Sequence, residues 1–211
     1  MTITGYTGLG GAAAIPSSVN GFPVTTIAGW AFWFCSGLTN IIIPNSVTSI
    51  GTNAFGCCAS LTNIFIPASV TNIASGAFLD CTSLRGVYFS GDAPSPGTDS
   101  SVFTADARAT VYHLAGATGW GSTFDGVPTA LWDLHVQTGK ASVGAGTGAF
   151  GFTIEGTGGL VVVVEASTNP ANSTWYPLAT NILSGGLFYF SDPQCTNYPA
   201  RFYRLAWPPS M

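Results

Sequence analysis

Glu155 and Glu165, His113 and His135, and the cysteines at 35, 58 and 81 are the residues whose types could do chemistry. Paired carboxylates are what a glycosidase needs, one as proton donor and one as nucleophile or base. Here both glutamates fall on short apolar strands with no sign of a sugar-binding cleft, so solvated strand positions are expected, with Arg201 or Arg204 as partners. A hydrolase triad needs a nucleophile, a histidine and a carboxylate brought together. Neither histidine sits in a hydrolase or metal motif, and no CxxC or histidine-rich spacing points to zinc. Cys35, Cys58 and Cys81 recur every 23 residues. On coils stacked about 4.8 Å apart their side chains would run parallel, and three cannot all pair, which favours buried free thiols. Cys57 and Cys195 make the total odd. The expectation is therefore no enzyme, no metal and no cofactor.

Residue types suited to recognition are clearer. Trp30, Trp33 and Phe34 stand where the two following segments carry Asn53, Gly56 and Cys57, then Gly76, Leu79 and Asp80. Aromatics where siblings are small or polar suit a sugar ring or an apolar partner patch. The alternative is that they cover the end of a core, or fill space beside the loop at Phe22.

The elements that would position them are repeats. Trp30–Leu38, Asn53–Leu61 and Gly76–Leu84 align without gaps, with Phe32, Phe55 and Phe78 spaced by 23. Ile15-Pro16, Ile43-Pro44 and Ile66-Pro67 precede them, the first interval lengthened by a loop around Asn20–Pro23. Such a period suits a solenoid of one strand and one turn per coil, in which stacking supplies the core that a single coil lacks. Strands are predicted at Leu38–Ile43, Leu61–Ile66 and Leu84–Phe89. Leu38, Ile41 and Ile43, with their equivalents, point inward, and the phenylalanines form a ladder opposite. Asn40, Ile42, Asn63, Phe65, Gly86 and Tyr88 point outward, so Asn40, Ile42, Asn63, Phe65 and Tyr88 join Trp30, Trp33 and Phe34 as candidate partner-binding residues.

With seven positions in register, from about Ile15 to Phe89, the pattern resembles the BspA-like, or Treponema pallidum-type, leucine-rich repeat. That resemblance implies a bacterial surface or secreted protein concerned with attachment and partner binding, and it carries over no active site.

Gly91–Asp99 breaks the repeat as a turn-rich exit. Ala109–Leu114 reads as a closing strand, with Trp120, Phe124, Leu131 and Trp132 over the open end of the core. A leucine-rich-repeat solenoid is expected over 1–137, its cap about 90–137. A Gly/Ala/Ser/Thr-rich linker follows at 138–148, then a small antiparallel β-sandwich at 149–211 built from five strands. With Leu160–Asn169, Trp175, Phe190–Pro193 and Arg201–Leu205, this last module is similar to one found in secreted proteins of Verrucomicrobia-like bacteria. The fold class is thus mainly β.

Charged residues are 7% of the chain, against roughly 25% in an average domain. No Asp, Glu, Lys, Arg or His precedes Asp80. Without a basic cluster, nucleic acid is not an expected partner. No apolar run approaches the roughly 18 residues of a membrane span. Thr2–Tyr6 shows no secretory signal and reads as a strand entering a repeat, so the chain is expected to begin within a longer architecture or to have lost a leader. The functional expectation is an extracellular or cell-surface binding or adhesion module for a protein or glycan. Self-assembly through the N-terminal coil is the alternative.

Overall fold

A computed structural model describes residues 1–96, 101–104, 108–137, 150–158, 161–171 and 174–206. The expected linker, 138–148, lies outside the described residues. The chain divides into two compact units, Met1–Trp132 and Asp133–Met211.

In the first unit, apolar residues alternate along short strands, and the inward set can be buried only by the next coil. Leu38–Ile42, Asn63–Ile66 and Gly86–Phe89 occupy three of the coils. Asn63–Ile66, Gly86–Phe89, Thr110–Leu114 and Val127–Trp132 run parallel, with Ile64 beside Val87 and Val87 beside Val111. Gly11–Ala14 pairs in parallel with Leu38–Ile42. The opposite wall is a second parallel sheet, ordered Thr2–Ile3, Thr26–Ile27, Ser49–Ile50, Asn72–Ile73 and Ser95–Pro96. Leu38, Ile41, Leu61, Ile64, Ile66 and Leu84 are buried from one side, Ile27, Ile50 and Ile73 from the other.

Each Ile-Pro element closes a turn, the carbonyls of Pro44 and Pro67 accepting the N–H of Val47 and Val70 at 3.0 Å. With no charges available, hydroxyls tie the coils together: Ser46 Oγ donates to the Ser17 carbonyl at 3.0 Å and Ser69 Oγ to that of Val47 at 2.6 Å.

Phe32, Phe55 and Phe78 are buried, as expected, but their stack is longer than the repeat pattern. Tyr6 lies 5.2 Å from Phe32 at one end, and Phe103 lies 5.5 Å from Phe78 at the other. The coils therefore extend on both sides of the 15–89 stretch. Aromatic neighbours at such separations add to their area burial.

The cap differs in part from expectation. Trp120 packs on Phe89 at 4.9 Å and Phe124 is buried, so both cover the core. Leu131 is exposed instead, and Trp132 lies on the outer face of the sheet, 5.8 Å from Tyr88. The reason is register: Val127–Trp132 extends the parallel ladder by one strand, placing Leu131 beside His113 past the end of the core and Trp132 beside Leu114.

The second unit holds two three-stranded antiparallel sheets, Leu134–Val136, Phe150–Gly156 and Leu187–Asp192 in one, Tyr176–Ile182, Val161–Ser167 and Phe202–Ala206 in the other. Tyr203 of one sheet packs 4.6 Å from Phe150 and 5.9 Å from Phe190 of the other. Leu134–Val136 was expected in the cap, but its backbone pairs with Ile154–Gly156, which moves the division to 132/133. Glu165 also departs from expectation, being buried rather than solvated. Arg204 faces it in register and donates from Nε and Nη2 to Glu165 Oε2, both at 2.7 Å, and stacks on Trp175 at 4.5 Å. A buried charge is tolerated only when so paired.

Phe55 has a ring above and a ring below it. Phe55→Ala is expected to destabilise the first unit by about 3–5 kcal/mol, read as a lower urea midpoint at unchanged slope. A loss below about 1 kcal/mol would contradict the stacked core.

Candidate binding surfaces

The turn that carries the three N-terminal aromatics is shaped by hydrogen bonds between coils. The N–H groups of Trp30, Phe32 and Phe34 donate to the carbonyls of Thr52, Ala54 and Gly56 at 3.0, 2.7 and 2.9 Å. Asn53, Phe55 and Cys57 repeat this toward Ser75, Ala77 and Leu79 at 3.0, 2.8 and 2.7 Å. For the N–H before and after each phenylalanine to face the next coil, the backbone enters the left-handed region twice. Trp30, Asn53 and Gly76 have φ of 66°, 53° and 64°, and Phe34, Cys57 and Asp80 have 60°, 60° and 55°.

Asn, Gly and Asp accept that conformation readily, whereas a bulky side chain costs about 1–2 kcal/mol there. Trp30 and Phe34 thus sit where the backbone disfavours them, yet neither is placed to fill the core: Trp30 is 55% exposed and Phe34 68%. Strained backbone of this kind clusters at functional sites in proteins generally. Trp33 differs. It meets Trp30 edge-on at 4.6 Å, and its ring occupies the space a methyl group at Gly56 would need. Trp33 is therefore a support for Trp30, seated on the next coil with one edge in solvent.

The outer strand face is more closed than its sequence suggests. Asn40, Ile42, Asn63 and Phe65 are half-buried. Phe65, Tyr88 and Tyr112 stack ring on ring at 4.9 and 4.8 Å. Their faces are spent on one another, and Trp132 closes over Phe65 and Tyr88. Tyr88 points outward as expected but is only 4% exposed, which removes it as a contact residue and holds its phenol well above the usual range, burial first and Tyr112 second. Tyr112 and Trp132 were not recognised as part of this face. The alternation of Thr110–Leu114 signalled the first, whereas the second needed the extra strand.

The groups whose types could do chemistry make the following contacts. Cys58 and Cys81 are buried, and their thiols donate to the carbonyls of Phe32 and Phe55 at 3.2 and 3.1 Å, linking each coil to the one before. Burial, then the neighbouring Cys58, pushes the Cys35 thiol up. Among the described residues no two cysteines form a disulfide. His113 stacks on Trp120 at 5.1 Å, and His135 lies 3.3 Å from Asp133 and 3.5 Å from Glu155 at an exposed position. Among the described residues no three of His, Cys, Asp and Glu are grouped to hold a metal ion, and no helix is long and apolar enough to cross a membrane.

Residues 15–104 match the family described as BspA type leucine rich repeat region, in six copies. Among solved structures, a T. pallidum leucine-rich repeat protein is similar at 28% identity, over 53% of this chain and 62% of that one, with a TM-score of 0.44. The chain thus spans less than two thirds of that protein's length. None of the curated proteins matches.

The strained turn makes an unusual stability prediction. Phe34→Asn, which installs a residue that tolerates positive φ, is expected to raise stability by about 1 kcal/mol, seen as a higher urea midpoint. Destabilisation of that size would show that Phe34 contributes packing instead.

Proposed function

Since residues 15–104 are a BspA-type leucine-rich repeat region, we propose that the chain is an extracellular or cell-surface binding module. It engages a protein or glycan through the aromatic turn at Trp30, Trp33 and Phe34. The observation that carries this reading is the pair of exposed aromatics in left-handed backbone, where asparagine, glycine or aspartate would be more stable. Binding rather than catalysis suits the site, whose groups offer apolar area, no general base and no charge. Asn40, Ile42 and Asn63, half-buried on the outer strand face, supply a second surface of the same unit. The aromatics would act as anchors that lose water on contact, with the neighbouring Ser and Thr as a polar rim.

The test is an array of glycans and immobilised secreted proteins probed with the full chain and with its Trp30→Asn/Phe34→Asn variant. Aromatic anchors are worth about 2 kcal/mol or more. The variant should therefore bind a hit about thirtyfold more weakly while remaining at least as stable. Equal binding by both proteins would move the site away from this turn.

A second reading, copies of the chain joined through the N-terminal coil, is favoured by an apolar cavity of about 350 Å³ lined by Ile3, Tyr6, Ala13, Ile15 and Phe32. Leu9, fully exposed, is available to such a contact. Light scattering across concentration decides it. A mass that rises with concentration and falls back in Leu9→Asp supports assembly, and a constant monomer mass sinks it.

A further inference from the structure

The second unit has a concavity of its own, about 340 Å³, lined by Thr168, Tyr176, Leu178, Gln194, Tyr198 and Arg201. That volume falls within the roughly 300–1,000 Å³ of small-ligand sites. Behind Arg201 in that lining, polar groups interlock. Asp192, buried, accepts from the Tyr203 hydroxyl at 2.9 Å and the Gln194 N–H at 2.9 Å, and lies 3.0 Å from Arg201 Nη1. The Arg201 side chain is only 10% exposed, and its guanidinium carbon lies over the Tyr198 ring, 4.3 Å from the centroid. Asp192 thereby fixes Arg201, and Arg201 in turn fixes Tyr198. Through the Gln194 backbone, the same carboxylate also sets where the Gln194 amide stands at the rim.

In the same lining, Tyr176 is 64% exposed and Tyr198 and Leu178 are also exposed. Tyrosine rings left in solvent beside a held guanidinium offer an apolar surface with hydrogen-bonding tips. The charge balance narrows what can bind. Arg201 is already neutralised by Asp192, so an anion would have to compete with a buried carboxylate. A cation would meet the guanidinium. The complementary ligand is uncharged, with one apolar face and a rim of hydroxyls.

We propose that this cavity binds a neutral sugar residue, its C–H face against Tyr176 and Tyr198 and its hydroxyls on the Gln194 amide and the Thr168 hydroxyl. The site is independent of the aromatic turn in the first unit. Aromatic packing and a few directed hydrogen bonds would make binding weak for one ring and stronger for a chain of rings that places several units at once.

The experiment is titration of the full chain, by NMR, with methyl β-glucoside, mannose, N-acetylglucosamine, cellobiose and glucuronate, alongside Tyr176→Ala, Gln194→Ala and the Trp30→Asn/Phe34→Asn variant. At least one neutral sugar should shift resonances of the second unit. Tyr176→Ala should weaken that binding about tenfold, Gln194→Ala several-fold, and the turn variant not at all. Tyr176 is solvent-exposed, so its truncation is expected to leave the fold intact, and Gln194→Ala provides the same test should it not. Silence from every neutral sugar, stronger binding of glucuronate, or full affinity in both cavity variants would overturn the proposal.

Discussion

The coil-to-coil ladder at the turn is the constraint on which the first unit rests. Donation by Trp30, Phe32 and Phe34, and again by Asn53, Phe55 and Cys57, leaves one register in which coils can stack. In that register the phenylalanine between each pair of outer donors points inward and falls over its counterpart, 5.0 Å from Phe32 to Phe55 and 5.6 Å from Phe55 to Phe78. The cysteine three residues on then reaches the carbonyl of the preceding phenylalanine coil. Core, thiol ladder and left-handed turn are one device seen from three sides. A repeat protein whose units contact only their neighbours needs such a device in every coil, because no distant contact can repair a slipped one.

How much of this was legible follows from phase. Phe32, Phe55 and Phe78, the cysteines and the inward Leu and Ile could be placed because nothing interrupts their spacing between residues 30 and 89. Tyr6 and Phe103 belong to the same ladder but lie beyond irregular stretches, the loop at Asn20–Pro23 and the exit after Gly91, so counting from Phe55 misses both. The left-handed positions were legible in principle. Asn53 and Gly76 in one column, and Asp80 in another, are the residues that such a backbone selects. The outer aromatics could be named from alternation, but their closure could not. That Tyr88 is covered depends on Trp132 returning to the face two strands later.

The second unit solves a different problem. Its strands pack around Phe152, Ile154, Val162, Val164 and Phe190, yet Glu165 and Asp192 are buried among them. Each is matched by an arginine from the Ala200–Ala206 segment, Arg204 on Glu165 and Arg201 on Asp192, and each arginine stacks on an aromatic ring. Such pairs contribute little net stability against apolar replacements, but they penalise any shift of register that would strand a charge in the core. Two of them on one segment fix the final strand in place. The charges were visible in sequence, but their burial was not, because an apolar strand such as Val161–Ser167 reads the same whether its single acid faces water or an arginine.

No charged side chain precedes Asp80, so the surface around Trp30 and Phe34 carries no fixed field from its own coils. A partner of the proposed site would be neither drawn in nor turned away at long range, and would meet it at the unsteered rate, on the order of 10⁵–10⁶ per molar per second. Ionic strength has little to screen there. Selectivity at such a surface would be expressed after collision, in how long a partner stays.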